Sequence, residues 1–233
     1  MRAQPGPALK TIASAAALTA ALTAALAASP ALADDTQAWG AVTVQGALSG
    51  PIRASSETVL RTSDAKGFYE LEQNLMVGYK ANKHVTYWLG YTFNPQYSHG
   101  TFGTTENRFR QQVSADNIAK IGPFNLNARL RLEERWRDNQ PGTGWRLRPY
   151  VKLSMPIHGK TNLNLTHESF INLNTTGFQK VAGYDRWRTG VSVSTPITKA
   201  VSIDVGYLNQ HTFVRNGPDT DDHVANIGLT ANF

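Results

Sequence analysis

The chain has 233 residues, 41% hydrophobic and 17% charged, with a mean hydropathy of −0.34. That length suits one domain, and the hydropathy excludes a bundle of membrane helices, each needing about 20 consecutive apolar residues. The absence of cysteine excludes disulfides and thiol chemistry, and a net charge of +6 is too weak to argue for nucleic acid.

The first predicted element is residues 1–33. Arg2 and Lys10 precede an uncharged run rich in Ala and Leu, Thr11 to Ala33, which ends Ala31-Leu32-Ala33. This is the layout of a secretory signal: a basic start, an apolar middle, and small residues at minus three and minus one of a cleavage site. Cleavage is predicted after Ala33, with Pro30 arguing against a retained helix. Loss of Arg2 and Lys10 reduces the 23 basic residues to 21 against 17 acidic, leaving a net +4 on the exported domain, 34–233.

Strands follow one another from there. They are predicted at 39–48, 52–61, 68–80, 85–94, 106–118, 124–137, 145–155, 161–172, 184–195, 201–213 and 222–233. Most reach ten residues, longer than the usual five or six of soluble sheets, and a tilted strand of about ten spans the apolar part of a membrane. Short connections fall near 49–51, 81–84, 121–123, 156–160 and 196–200. Longer polar ones fall near 62–67, 95–105, 138–144, 173–183 and 214–221. Short turns at one end and long loops at the other are the pattern of outer-membrane barrels, whose short turns are periplasmic. The expected fold is therefore all-β, an antiparallel transmembrane β-barrel of 10–12 strands. The count itself is eleven, whereas bacterial single-chain barrels have even numbers.

The faces of these strands carry the argument. In FNLNARLRLEERWR, residues 124–137, Arg129, Arg131, Glu133, Arg135 and Arg137 occupy every second position. A helix would scatter them, whereas a strand sends them all to one face. Segment 85–93 puts Val85, Tyr87, Leu89, Tyr91 and Phe93 on one face, and 69–79 does the same with Tyr69, Leu71, Leu75, Val77 and Tyr79, interrupted by Gln73. Aromatics gather near strand ends, as in interfacial girdles. The chain stops on Phe233 after Ile227, Leu229 and Ala231, an ending that resembles the sorting signal read by the barrel-assembly machinery.

Several stretches resemble the DUF2490 family. They are RLRLEERW at 129–136, GYTF at 90–93, ENRFRQQ at 106–112, WRLRPYVKLSMP at 145–156, HESFINLN at 167–174, DRWRTGVSV at 185–193 and IDVGYLNQ at 203–210. The resemblance covers roughly 36–233. It implies a barrel in the outer membrane of a Gram-negative bacterium, among its lipids. It implies no activity, cofactor or site residue.

With the apolar face outward, the inward face holds Glu70, Glu72, Glu106, Arg108, Arg110, Arg129, Arg131, Glu133, Arg135, Arg137, Arg146, Arg148, Lys152, Glu168, Arg186, Arg188 and Asp204. Arginine rings favour anions in a pore. A non-enzymatic, porin-like channel for small anionic solutes is the leading expectation. The competing one is a filled lumen, because a narrow barrel lets long Arg and Glu side chains pair across it. A third reading starts from His167 and Ser169, which share the outward face, with Asp185 on the next strand at matching parity. That set is similar to the H-x-S pair of outer-membrane phospholipases and lipid A deacylases, and implies an acyl-ester hydrolase. A soluble periplasmic barrel is the last alternative.

Other motifs carry less. Asp219, Asp221 and Asp222 do not have the spacing of an EF-hand loop, the six histidines lack zinc-like spacing, and no metal or other cofactor is expected. Gly46, Gly78, Gly90 and Gly206 lie inside strands, where they permit curvature or close approach rather than phosphate binding.

Overall fold

The computed structural model describes Asp35–Phe233; the predicted leader and its cleavage site lie outside the described residues. Eleven strands follow in chain order: β1 (Asp35–Ser49), β2 (Ile52–Ser63), β3 (Gly67–Lys80), β4 (Val85–Ser98), β5 (Thr101–Ile121), β6 (Phe124–Arg137), β7 (Gln140–His158), β8 (Thr161–Asn172), β9 (Gly183–Pro196), β10 (Val201–Thr212) and β11 (Thr220–Asn232). Each pairs antiparallel with its sequence neighbour, and β1 pairs with β11 to close the barrel. The alternating patterns are long because each strand must present one continuous apolar face and one continuous polar face.

The odd count has a geometric consequence. Every hairpin reverses the chain, so the first and last of eleven strands run the same way. The seam between β1 and β11 is accordingly parallel, from Asp35 opposite Asp222 to Gln45 opposite Asn232. Phe233 completes it, its N–H donating to the Gln45 carbonyl at 3.1 Å. Closure leaves no edge strand unpaired.

At one end the strands are joined by the short turns that were expected. Gly122 and Gly159 open two of them at φ +57° and +54°, backbone that other residues rarely adopt. At the other end, 173–182 and 213–219 are long loops. The expected loops at 95–105 and 138–144 are instead continuations of strand pairs that end in tight turns, with Ser98 opposite Thr101 and Arg137 opposite Gln140. Positive φ at His99, Gly100 and Asn139 makes these turns. These turns and the two long loops form the loop end of the barrel.

The outward face is apolar as expected: Val42, Val44, Leu75, Val77, Tyr79, Tyr87, Leu89, Tyr91, Phe93 and Ile227 are all exposed large side chains. Soluble monomers rarely expose large contiguous apolar patches. The intrastrand glycines do allow close approach. A side chain on Gly78 would meet Trp88, and one on Gly206 would meet Ser192.

Two of the bulges move residues off the faces that simple alternation predicts. On β3 the register shifts opposite Arg61 and Thr62, leaving Tyr69 as the extra residue. Parity had placed Tyr69 on the outward face; the bulge takes it off that face, and its hydroxyl donates to buried Gln37 at 2.7 Å. On β9 the shift falls opposite Phe170 and Ile171, leaving Asp185 as the extra residue.

Candidate functional site: a paired lumen and an outward serine–histidine pair

Strand register builds the lumen. Period two turns Arg131, Glu133 and Arg135 of β6 inward, and pairing sets Arg110 of β5 and Arg146 of β7 on either side of Glu133. Glu133 is fully buried, and it is held on both oxygens. Arg146 donates Nε and Nη2 to Oε2 at 2.8 and 2.6 Å, and Arg148 donates Nη1 to Oε1 at 2.8 Å. Arg110 Nε stands 3.3 Å away.

The other inward carboxylates repeat this pattern. Glu106, also 0% exposed, accepts from Arg108 Nε at 2.7 Å, from Arg135 Nε and Nη2 at 2.9 Å each, and from Arg137 Nη2 at 2.8 Å. Glu72 takes Arg110 at 2.7 Å and Arg108 at 3.0 Å. Glu168 takes Arg148 on both oxygens at 3.0 Å and Arg129 at 2.5 Å. Arg131 is bonded mainly to Gln112, at 2.8 Å, with Glu133 at 3.9 Å. Asp204 accepts from Ser192 at 3.0 Å and from Asn164 at 3.3 Å. Lys152 makes no ion pair within 4 Å among the described residues, and its side chain is half-buried.

Side chains that sequence reasoning did not place inward complete the filling. Arg61 pairs with Glu70 and reaches Glu72 at 3.5 Å. Phe170, 2% exposed, lies against four guanidinium groups: Arg148 at 4.4 Å, Arg188 at 4.7 Å, Arg146 at 5.3 Å and Arg186 at 5.8 Å. The loop after β8 folds in as well. Its Phe178 stacks on Arg135 and Arg137, and its buried Gln179 accepts from Arg135 at 2.8 Å. Phe170 was legible, since it shares the parity of Glu168. Phe178, in a loop without period, carried no such signal.

A charge taken from water into a protein interior is stable only when paired and hydrogen-bonded. Here each of Glu72, Glu106, Glu133 and Glu168 meets two or more guanidinium groups. The arginines therefore act as a cross-linked filling within the barrel. Removing one partner of such a group leaves an uncompensated charge, at a cost of about 3–5 kcal/mol.

Outside the wall, His167 and Ser169 do meet: His167 Nε2 lies 3.2 Å from Ser169 Oγ. Asp185 does not join them. As the extra residue of the β9 bulge it lies off the outward parity, and its carboxylate accepts from Arg186 Nε at 2.9 Å. The bulge brings Tyr184 to the wall in its place, and the Tyr184 hydroxyl bonds Ser169 Oγ. The second ring nitrogen of His167 faces Thr189 Oγ1 at 2.9 Å. The β7–β8 ladder is also interrupted beside Ser169, between Leu147 and Tyr150, where Pro149 has no N–H to give. Trp187 and His211 stack alongside at 5.0 Å, and His211 reaches Asp221 at 3.1 Å and Asp219 at 3.4 Å. Phe233, the expected sorting signal, is 64% exposed.

Comparison with known proteins agrees with this geometry without adding chemistry to it. The profile of the family described as "Protein of unknown function (DUF2490)" matches residues 36–221. An uncharacterized protein of Methylorubrum extorquens is 28% identical over 205 residues, covering 84% of this chain and 86% of that protein.

Proposed function

We propose, from the premise that the chain belongs to the DUF2490 family, that it is an outer-membrane β-barrel whose lumen is sealed by its own ion pairs. In this reading the wall sits in lipid, the C-terminal strand is the part offered to the assembly machinery, and the arginines are filling rather than a solute track. Its working surfaces are then the wall and the mouth. The supporting observation is the fully buried Glu106 and Glu133, each bound by three or more arginines. An anion-conducting lumen needs arginines with donors to spare. Support for the membrane setting comes from the exposed apolar band and from strands of at least 12 residues. The test is conductance of the refolded protein in a planar bilayer under an asymmetric salt gradient. A silent, folded barrel is expected. Discrete anion-selective steps would return the arginines to the porin-like role.

A second reading rests on the bond between His167 and Ser169. On a lipid-facing wall a polar, ionisable cluster marks a functional site by default. As a hydrolase, Ser169 Oγ attacks an acyl-ester carbonyl while His167 Nε2 takes its proton and returns it to the leaving alcohol; water then attacks the acyl-serine, His167 passing its proton back to Ser169 Oγ as the acid leaves. Thr189, rather than an acid, steadies the imidazole. Purified protein should then hydrolyse a p-nitrophenyl acyl ester in detergent, and Ser169→Ala should abolish it. Absence of turnover in the wild type removes this reading.

A further inference from the structure

We propose that the loop-end mouth of the barrel is a binding site for a small oxyanion, a phosphate or carboxylate group, centred on Arg188. The walls there enclose a polar cavity of about 490 Å3, lined in part by Lys66, Arg186, Arg188, Gln210 and Asp222. That volume falls within the range of small-molecule sites.

Arg188 differs from the arginines beneath it. Its guanidinium lies against two rings, Trp39 at 4.5 Å and Phe170 at 4.7 Å. Its Nε donates to Gln210 Oε1 at 2.8 Å. Among the described residues it has no carboxylate within 4 Å, and none of its nitrogens belongs to the buried atoms left without a partner. Two ring contacts and one edge thus hold it, and its terminal amino groups make no hydrogen bond to the protein among the described residues. A guanidinium held in this way offers the parallel donor pair that a planar or tetrahedral oxyanion takes up.

The neighbouring charges are arranged to leave it free. Gln210 links Arg188 to Asp222, its Oε1 accepting from Arg188 while its Nε2 donates to Asp222 at 2.9 Å, and Glu168, opposite Arg188 on β8, is held by Arg148 and Arg129. Asp35 is engaged by the Ala65 N–H at 3.1 Å. Glu70 is taken by Arg61. Arg186 gives only its Nε to Asp185, and Lys66 makes no ion pair among the described residues. Cations with donors to spare therefore face acids that are already bonded.

The anionic group can arrive on a free solute or on a phospholipid headgroup, and calorimetry of the detergent-refolded protein distinguishes them. One titration uses inorganic phosphate, the other phosphatidylglycerol in mixed micelles. Saturable heat with phosphate assigns a soluble source, and heat with phosphatidylglycerol alone assigns a headgroup. Arg188→Gln should weaken whichever binding is seen at least tenfold. Asp35→Asn, which keeps an oxygen for the Ala65 N–H, should strengthen it about two- to fivefold by removing a nearby negative charge, an outcome that misfolding does not produce. No binding of either probe, or equal affinity in Arg188→Gln, overturns the proposal.

Discussion

Glu133 and Arg146 face each other across β6 and β7 and are joined twice, both Arg146 Nε and Nη2 donating to one carboxylate oxygen at 2.8 and 2.6 Å. Arg148 occupies the other oxygen. Glu133→Ala should therefore strand several guanidinium groups in a dry interior and lower stability by about 3–5 kcal/mol. Urea unfolding of the vesicle-embedded protein, followed by tryptophan fluorescence, measures it. A loss below about 1 kcal/mol, the size of a surface ion pair, would show that water reaches this cluster.

Phe170 is the apolar counterpart of Glu133. It fills the space among four guanidinium groups and offers them its ring faces. Phe170→Ala removes both packing and cation–π attraction, at an expected cost of about 3–5 kcal/mol. Phe170→Leu keeps most of the volume and so separates packing from ring attraction. It should cost less than half as much, and an equal loss in both variants would mean that the ring contacts with the guanidinium groups outweigh the packing.

Gly46 marks the seam. A Cβ there would meet the Phe233 ring, with Cδ2 at 2.7 Å, and would also crowd the Phe233 backbone. Gly46→Val should push the C-terminal residue off β1 and destabilise the closed barrel by about 1–3 kcal/mol. Gly40, on the same strand, has nothing within 4 Å of its missing Cβ. Gly40→Val is the matched control and should leave unfolding unchanged, apart from any gain in β-propensity.

The strands themselves were legible in the sequence. Bounds for β6 and β8 coincide with the alternation, because the extra residues at the register shifts beside them fall on β5, β7 and β9 and not on β6 or β8 themselves. The inward charges were legible for the same reason. What alternation does not carry is a change of phase. The bulges at Tyr69 and Asp185 insert one residue each, and parity beyond them inverts. Asp185 thereby left the outward set, and Tyr184 took a place that nothing in the local sequence had marked. That inward Arg and Glu could pair was legible, but which of them meet was not. The Glu72 contacts with Arg108 and Arg110 span 36 and 38 residues and reach over β4 from β3 to β5, and no local pattern encodes contacts between strands that are not themselves paired.

The parallel seam makes a topological prediction that an even barrel does not. Because β1 and β11 run in the same direction, Asp35 starts at the loop end while the chain finishes at the short-turn end. In an even-stranded barrel both termini lie on one side. If short turns are periplasmic, an epitope placed just before Asp35 in the exported chain should be reached by antibody on intact cells. An epitope inserted in the β9–β10 turn, within 197–200, should be reached only after the outer membrane is permeabilised. Labelling of both epitopes under the same condition would contradict a parallel seam, since a twelfth strand or the loss of β1 from the wall is what puts the amino terminus on the turn side.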